Sequence, residues 1–307
     1  MKKISIILIS VLALALNTAN AQQRSVFSTY IFNPLVLNPA YAGSLDLFSA
    51  IVTNRNQWVN IDGAPNYQSI SAHTAWVNNR VGTGFVATRD AIGVHEQYGV
   101  YGSYAYKVRF AHGVLAMGMQ GGFDNRNSNY TLLSLKDASD PLLSSDAKKF
   151  NPNFGVGLYY SNPKFFMGVS VPYILNSKVF KVESISSSER EARYYYVHTG
   201  MVLEMNSSIK FNPSVLLRLQ ERSPVSFDIN ANLIFEDIIF VGVSYRSGAA
   251  VVFLSQIVLN ENFRFGYAFD TESSSLSGFT PGTHEIFLNY RIKIKNLKKN
   301  PQCPVYF

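Results

Sequence analysis

About fourteen times in succession this chain alternates apolar and polar residues over roughly 10–13 positions, and a helical period is nearly absent. From Val225 to Phe235, residues Val225, Phe227, Ile229, Ala231, Leu233 and Phe235 share one face, and Ser226, Asp228, Asn230 and Asn232 the other. Ile209–Gln220 repeats the pattern, with Lys210, Asn212, Ser214, Arg218 and Gln220 on the polar side. Phe263, Phe265, Tyr267 and Phe269 oppose Arg264, Gly266 and Asp270. Ile286, Leu288, Tyr290 and Ile292 oppose Glu285, Asn289, Arg291 and Lys293. A two-residue period puts successive side chains on opposite sides of a sheet. Alternation alone does not distinguish a soluble sandwich from a membrane barrel. Length does: these segments exceed the usual 5–6 residues of soluble strands and match the 9–11 that cross a bilayer at a tilt. Tyr and Phe gather near segment ends, as interfacial girdles require, and charges in the middle of the polar faces suit a wet lumen better than a dry sandwich core.

The start of the chain agrees. Lys2 and Lys3 precede an apolar run from Ile4 to Leu16, and Ala19-Asn20-Ala21 fits the small-x-small rule for cleavage after Ala21. That run is too short for a spanning helix, and no longer one follows. An exported chain without a spanning helix is either soluble or a barrel. Charged residues make up only 15% of the chain, against about 25% in soluble domains, with 18 Tyr and 22 Phe. The formal charge of +7 does not indicate a nucleic-acid partner. Lys2 and Lys3 leave with the leader, and Arg291, Lys293, Lys295, Lys298 and Lys299 sit at the C-terminal end, leaving the remainder balanced. Cys303 is the single cysteine, which excludes an internal disulfide and a cysteine-based zinc site.

The expected strands are 48–59, 67–77, 80–91, 97–110, 113–125, 151–161, 164–174, 193–205, 209–220, 223–235, 237–248, 249–259, 262–273 and 284–294. The count is even, as single-chain bacterial barrels prefer. Connections after the even-numbered segments are all tight, and the long ones, 126–150, 175–192 and 274–283, all fall after odd-numbered segments. Short turns on the periplasmic side and long loops outside explain that sorting. The expected architecture is all-β: an outer-membrane barrel of about fourteen antiparallel strands over 48–294. It is preceded by a leader (1–21) and a periplasmic or plug segment (22–47), and followed by a basic periplasmic tail (295–307).

Residues 33–44 read NPLVLNPAYAGS. Pro34 and Pro39 fix φ and forbid ladder bonds, and Asn33 and Asn38 before them favour turn initiation. The segment reads as two linked turns carrying Leu35, Val36, Leu37 and Tyr41 as anchors, either a plug for the lumen or a contact for a periplasmic partner. Asn33-Pro34 and Asn38-Pro39-Ala40-Tyr41-Ala42-Gly43 resemble the opening of the PorP/SprF-type outer-membrane proteins of the type IX secretion and gliding machinery. The likeness continues through Gln57-Trp58, Gly63-Ala64-Pro65, Gly82, Gly84, Asp90, Ile92-Gly93, Asn153 to Gly157, Tyr159, Gly168, Ser170 and Pro172. It extends to Gly242 to Arg246, Gly266 to Asp270 and His284-Glu285. It implies a non-enzymatic barrel that holds a secreted surface adhesin or other cargo, or that works with periplasmic and outer-membrane parts of the machinery. It brings no cofactor.

A catalytic or metal reading finds little support. His73, His95, His112, His198 and His284 are scattered without metal spacing. His198 is expected in the lumen, hydrogen-bonded, near Gly200 and Glu204. Asp137, Asp140 and Asp146 lack a calcium-loop pattern. Gly118, Gly121 and Gly122 lie on a strand with no helix after it, unlike a phosphate loop. The expected lumen-facing polar set is Arg218, Asp228, Arg264, Asp270, Glu285 and Arg291. Tyr130, Leu132, Phe180 and Phe279 are candidate cargo anchors in the long loops. Two functions remain open: an interaction protein for type IX cargo, favoured by an inward plug, and a passive channel for small solutes, favoured by an open lumen.

Overall fold

A computed structural model describes residues 27–132, 146–175, 192–221, 223–273 and 278–294. The leader, the tail 295–307, Asp137, Asp140, Phe180 and Cys303 lie outside the described residues. The strands are β1 (Phe48–Asn56), β2 (Asn66–Trp76), β3 (Val81–Ile92), β4 (His95–Phe110), β5 (Gly113–Ser128), β6 (Ala147–Ser161), β7 (Phe165–Val171) and β8 (Tyr194–Met201). They continue with β9 (Leu203–Glu204), β10 (Ile209–Gln220), β11 (Ser226–Phe235), β12 (Ile239–Arg246), β13 (Ala250–Val258), β14 (Phe263–Glu272) and β15 (Thr283–Ile292). β8 and β9 both pair with β10 and form one stave broken at Val202, so the fifteen strands make a closed barrel of fourteen staves. Each stave pairs antiparallel with its sequence neighbours. β1 pairs with β15 from Phe48↔Ile292 to Asn56↔His284, which closes the sheet and removes its edges.

All fourteen expected segments are present, with shifted ends. The hairpin β5–β6 is longer than the expected 113–125 and 151–161, because pairing runs on to Ser128↔Ala147. Two contacts continue it: Asp146 Oδ1 accepts from the Thr131 N–H (3.1 Å) and hydroxyl (3.0 Å), which ties the ends of that loop together. The outer face is apolar and open, as at Val52, Ile70, Met119, Ile229, Phe253 and Ile286. Along β11 the alternation is as read: Ile229 is half exposed, while Asp228 and Asn230 are buried inside. Ile229→Arg should therefore cost about 2–4 kcal/mol near the bilayer midplane. Folding measured in lipid vesicles should show a larger loss for Ile229→Arg than for Leu219→Met, a swap of similar volume on the same face.

The lumen is packed. Between Phe27 and Leu47 the chain runs through it as three short 3-10 turns, η1 (Ser28–Ile31), η2 (Pro34–Val36) and η3 (Pro39–Tyr41). Pro34 and Pro39 occupy first-turn positions, where a missing N–H costs nothing. Asn38 caps η3, its Oδ1 accepting from Ala40 N (2.9 Å). Tyr30, Ile31, Phe32, Leu35, Leu37 and Tyr41 are buried, each contributing roughly 1.5–3 kcal/mol. The expectation of a wet lumen is thus corrected: this segment takes the place of water, and the inner wall meets it with apolar residues that break the alternation, Leu216, Phe240 and Phe287.

The segment also has a direction. Phe27 packs edge-on against Tyr67 (ring centroids 4.3 Å), beside the start of β2, at the end of the barrel bearing the long loops. Asp46 accepts from Asn79 Nδ2 (2.8 Å) in the tight turn between β2 and β3, at the other end. The plug therefore spans the lumen from the long-loop mouth to the turn mouth, and a purely periplasmic placement does not describe residues 27–47.

Candidate functional site: the plugged lumen

Four hydrogen bonds fix the lower half of the plug. Asn38 Nδ2 donates to Leu158 O (2.9 Å), and Ser170 Oγ donates to Leu37 O (2.6 Å). The Gly43 N–H donates to His73 Nδ1 (3.2 Å), and Lys107 Nζ donates to Gly43 O. Tyr41 lies edge-on to both His73 (5.4 Å) and Tyr159 (5.3 Å). The plug backbone lies directly on the wall here. A Cβ on Gly82 would overlap the Ala42 carbonyl, and one on Gly118 would overlap the Ala40 backbone. The glycine-rich stretch at Gly118 is thus a seat for the plug, a role its sequence context does not reveal.

The upper half is held by charge. Arg218 Nη2 lies 2.7 Å from Asp228 Oδ1, and Arg246 Nε lies 3.2 Å from Asp228 Oδ2. Arg246 Nη1 continues to Asp270 Oδ2 (3.5 Å), Arg55 Nη2 to the same oxygen (2.8 Å), and Arg55 Nη1 to Glu285 Oε2 (3.0 Å). Signs alternate along the whole chain of contacts, and three guanidinium groups balance three carboxylates. All six groups are buried, Asp228 and Glu285 completely. Burial of this kind persists only where every charge is paired and hydrogen-bonded.

The plug supplies the remaining donors. The Ser28 and Thr29 N–H groups donate to Glu285 Oε2 (2.8 Å) and Oε1 (3.0 Å), and the Thr29 hydroxyl donates to Oε1 as well. Ser28 Oγ donates to Asp270 (2.7 Å) and accepts from Arg55 Nη1 (2.9 Å). Asn230 Nδ2 donates to the Tyr30 hydroxyl (2.8 Å). Four of the six expected lumen residues, Arg218, Asp228, Asp270 and Glu285, are in this network. Arg55 and Arg246 complete it and were not singled out from sequence, although both fall on inward positions of their strands. Arg264 and Arg291 also face inward but lie at the opposite, turn end.

Other expected sites separate in the same way. Asn33, Pro34, Asn38, Pro39, Ala40 and Tyr41 are all buried in the plug, and Gly43 takes a positive φ of 65° against β3. His198 is buried between Tyr30 (5.4 Å) and Phe166 (4.9 Å). Its Nε2 finds no hydrogen-bond partner among the described residues, contrary to expectation, because the plug brings rings and not acceptors to it. Glu204 is exposed. In the long loops Leu132 and Phe279 are about three-quarters exposed, but Tyr130 is buried edge-on to His95 (5.8 Å) and presents no free anchor. Among the described residues, no group of three His, Cys, Asp or Glu forms a metal cluster.

Several solved outer-membrane proteins align with this chain at low identity. Omp33 of Acinetobacter baumannii aligns with 10% identity over 80% of this chain and 98% of its own, with a TM-score of 0.48. The Ralstonia pickettii toluene transporter TbuX aligns with 11% identity over 84% of this chain and 91% of its own, with a TM-score of 0.47. No curated protein sequence matches. The model of one family, type IX secretion system membrane protein PorP/SprF, matches residues 19–290, from before the plug nearly to the end of the closing strand. The chain thus belongs to the PorP/SprF family of type IX secretion system membrane proteins.

Proposed function

We propose that this protein is a sealed, non-enzymatic outer-membrane barrel that anchors a secreted surface adhesin or another type IX cargo, or helps export it. The observation that carries the reading is the filled lumen. A passive channel needs open space along its axis, and here that axis holds Tyr30, Ile31, Phe32 and Leu35, all buried. With the strands committed to lipid outside and plug inside, the free surface is at the rims. Binding residues concentrate on loops carried by a rigid scaffold. The exposure of Leu132 and Phe279 supports a cargo side at the long-loop rim. Periplasmic parts of the machinery then meet the tight-turn end and the basic tail.

Exchange of the loops 129–146, 172–193 and 273–282 between two family members tests this. Surface display of the adhesin, followed by antibody on intact cells, is expected to follow the loops. Display that follows the plug and tail instead would overturn the assignment of specificity while leaving the barrel intact.

A further inference from the structure

The inward charges divide unequally between the two ends of the lumen. At the long-loop end Arg55, Arg218 and Arg246 each have a carboxylate. At the turn end Arg264, second residue of β14, and Arg291, next to last in β15, have none among the described residues. Arg291 is 3% exposed, and among the described residues its side chain makes one hydrogen bond, from Nε to Asn289 Oδ1 (2.6 Å). Asn289 is itself committed, its Nδ2 donating to Ser49 Oγ (2.9 Å). Arg264 is part-buried, and its Nη1 is buried without an acceptor. Arg264 stands opposite Asn289 in the β14–β15 ladder, and the Arg291 N–H donates to Asn262 O (2.7 Å), so the two arginines are diagonal neighbours on the inward face. Glu261, the acid nearest in sequence, is exposed and paired with Lys293 (3.4 Å). No Asp or Glu follows Glu285 in the sequence.

Arginine does not escape such a position by losing its proton. A buried guanidinium beside a part-buried like charge, with no counter-ion among the described residues, is strongly unfavourable, and a partner of opposite charge relieves it. Guanidinium forks match phosphate oxygens in shape, and a phosphate group neutralises adjacent arginines better than a single carboxylate. We propose that Arg264 and Arg291 form a phosphate-binding site at the tight-turn mouth of the lumen, entered past the part-buried Arg264. The same chemistry is offered by free phosphate and by a phospholipid headgroup of the facing leaflet.

The full chain, purified in detergent, is to be melted in phosphate and in chloride at equal ionic strength. A ligand that binds only the folded state raises the melting temperature with its concentration. The native chain is expected to gain several degrees in inorganic phosphate, and Arg264→Gln, at the accessible side of the site, to lose that gain while still folding. Arg291→Met should lose the gain yet melt no lower than the native chain in chloride, because it removes a buried charge. Native mass spectrometry of the chain released from its own membrane distinguishes the sources: a retained phospholipid that Arg264→Gln loses identifies the lipid. A native chain that neither responds to phosphate nor retains such a lipid, or an Arg264→Gln chain that responds equally, overturns the proposal.

Discussion

Glu285→Ala is expected to free the plug from the long-loop mouth and to destabilise the barrel by about 3–5 kcal/mol, the cost of breaking a buried ion pair from one side. The carboxylate is completely buried and holds Arg55 together with the amides of Ser28 and Thr29. Its loss leaves the Arg55 guanidinium with Asp270 as its one carboxylate and strands two N–H groups at once. Arg55 stands directly opposite Glu285 in the β1–β15 ladder, so the same change weakens the seam. The result is to be read in two ways: the denaturant midpoint in lipid vesicles falls, and a planar bilayer that is silent with the native protein shows ion conductance. A Glu285→Ala chain that melts as the native one and remains silent would show that the apolar contacts of the plug suffice without the charged latch. Glu285→Gln should lie between, since the amide oxygen still accepts one hydrogen bond.

Gly118→Val should expel the plug from its other anchorage. The added Cβ would overlap the backbone of Ala40 and Pro39, which cannot rotate away as a side chain does. Overpacking typically costs 1–3 kcal/mol, and a clash between two backbones lies at or above the top of that range. Gly121→Val, on the same strand but facing lipid with nothing nearby, is the matched control and should be neutral or mildly stabilising. The measurement is protease cleavage within residues 27–47 of the assembled barrel, with a site introduced there in both variants. Rapid cleavage in Gly118→Val and protection in Gly121→Val are the expected pair. Equal protection would mean that the wall gives way and the plug stays.

The barrel was legible because alternation reports which way a side chain points, and nothing else in the structure competes with that signal. It placed Asp228, Asp270, Glu285, Arg218, Arg264 and Arg291 inside. It did not reveal what they meet there. The plug has no period to read, and its effect on the wall shows only as exceptions: Leu216, Phe240 and Phe287 on a face otherwise polar, and glycines where the two backbones touch. Arg55 and Arg246 were available to the same reading, being in phase with Ser49 and Thr53 and with Ser244. Their importance depends on neighbours far away in sequence. Likewise Tyr130 has the composition of an exposed anchor, and only the fold brings His95 against it.

The latch between Ser28 and Glu285 joins points separated by 257 residues, almost the whole chain. Contacts so distant form late, since most of the loop entropy is lost before they contribute. The plug therefore waits for the last strand to exist. A molecule cut short before β15 keeps most of its lipid-facing surface but offers Ser28 and Thr29 no Glu285 carboxylate and leaves one edge of β1 unpaired. Completion of the polypeptide, closure of the wall and sealing of its interior become one event, which gives the assembly pathway an intrinsic means of telling finished copies from fragments.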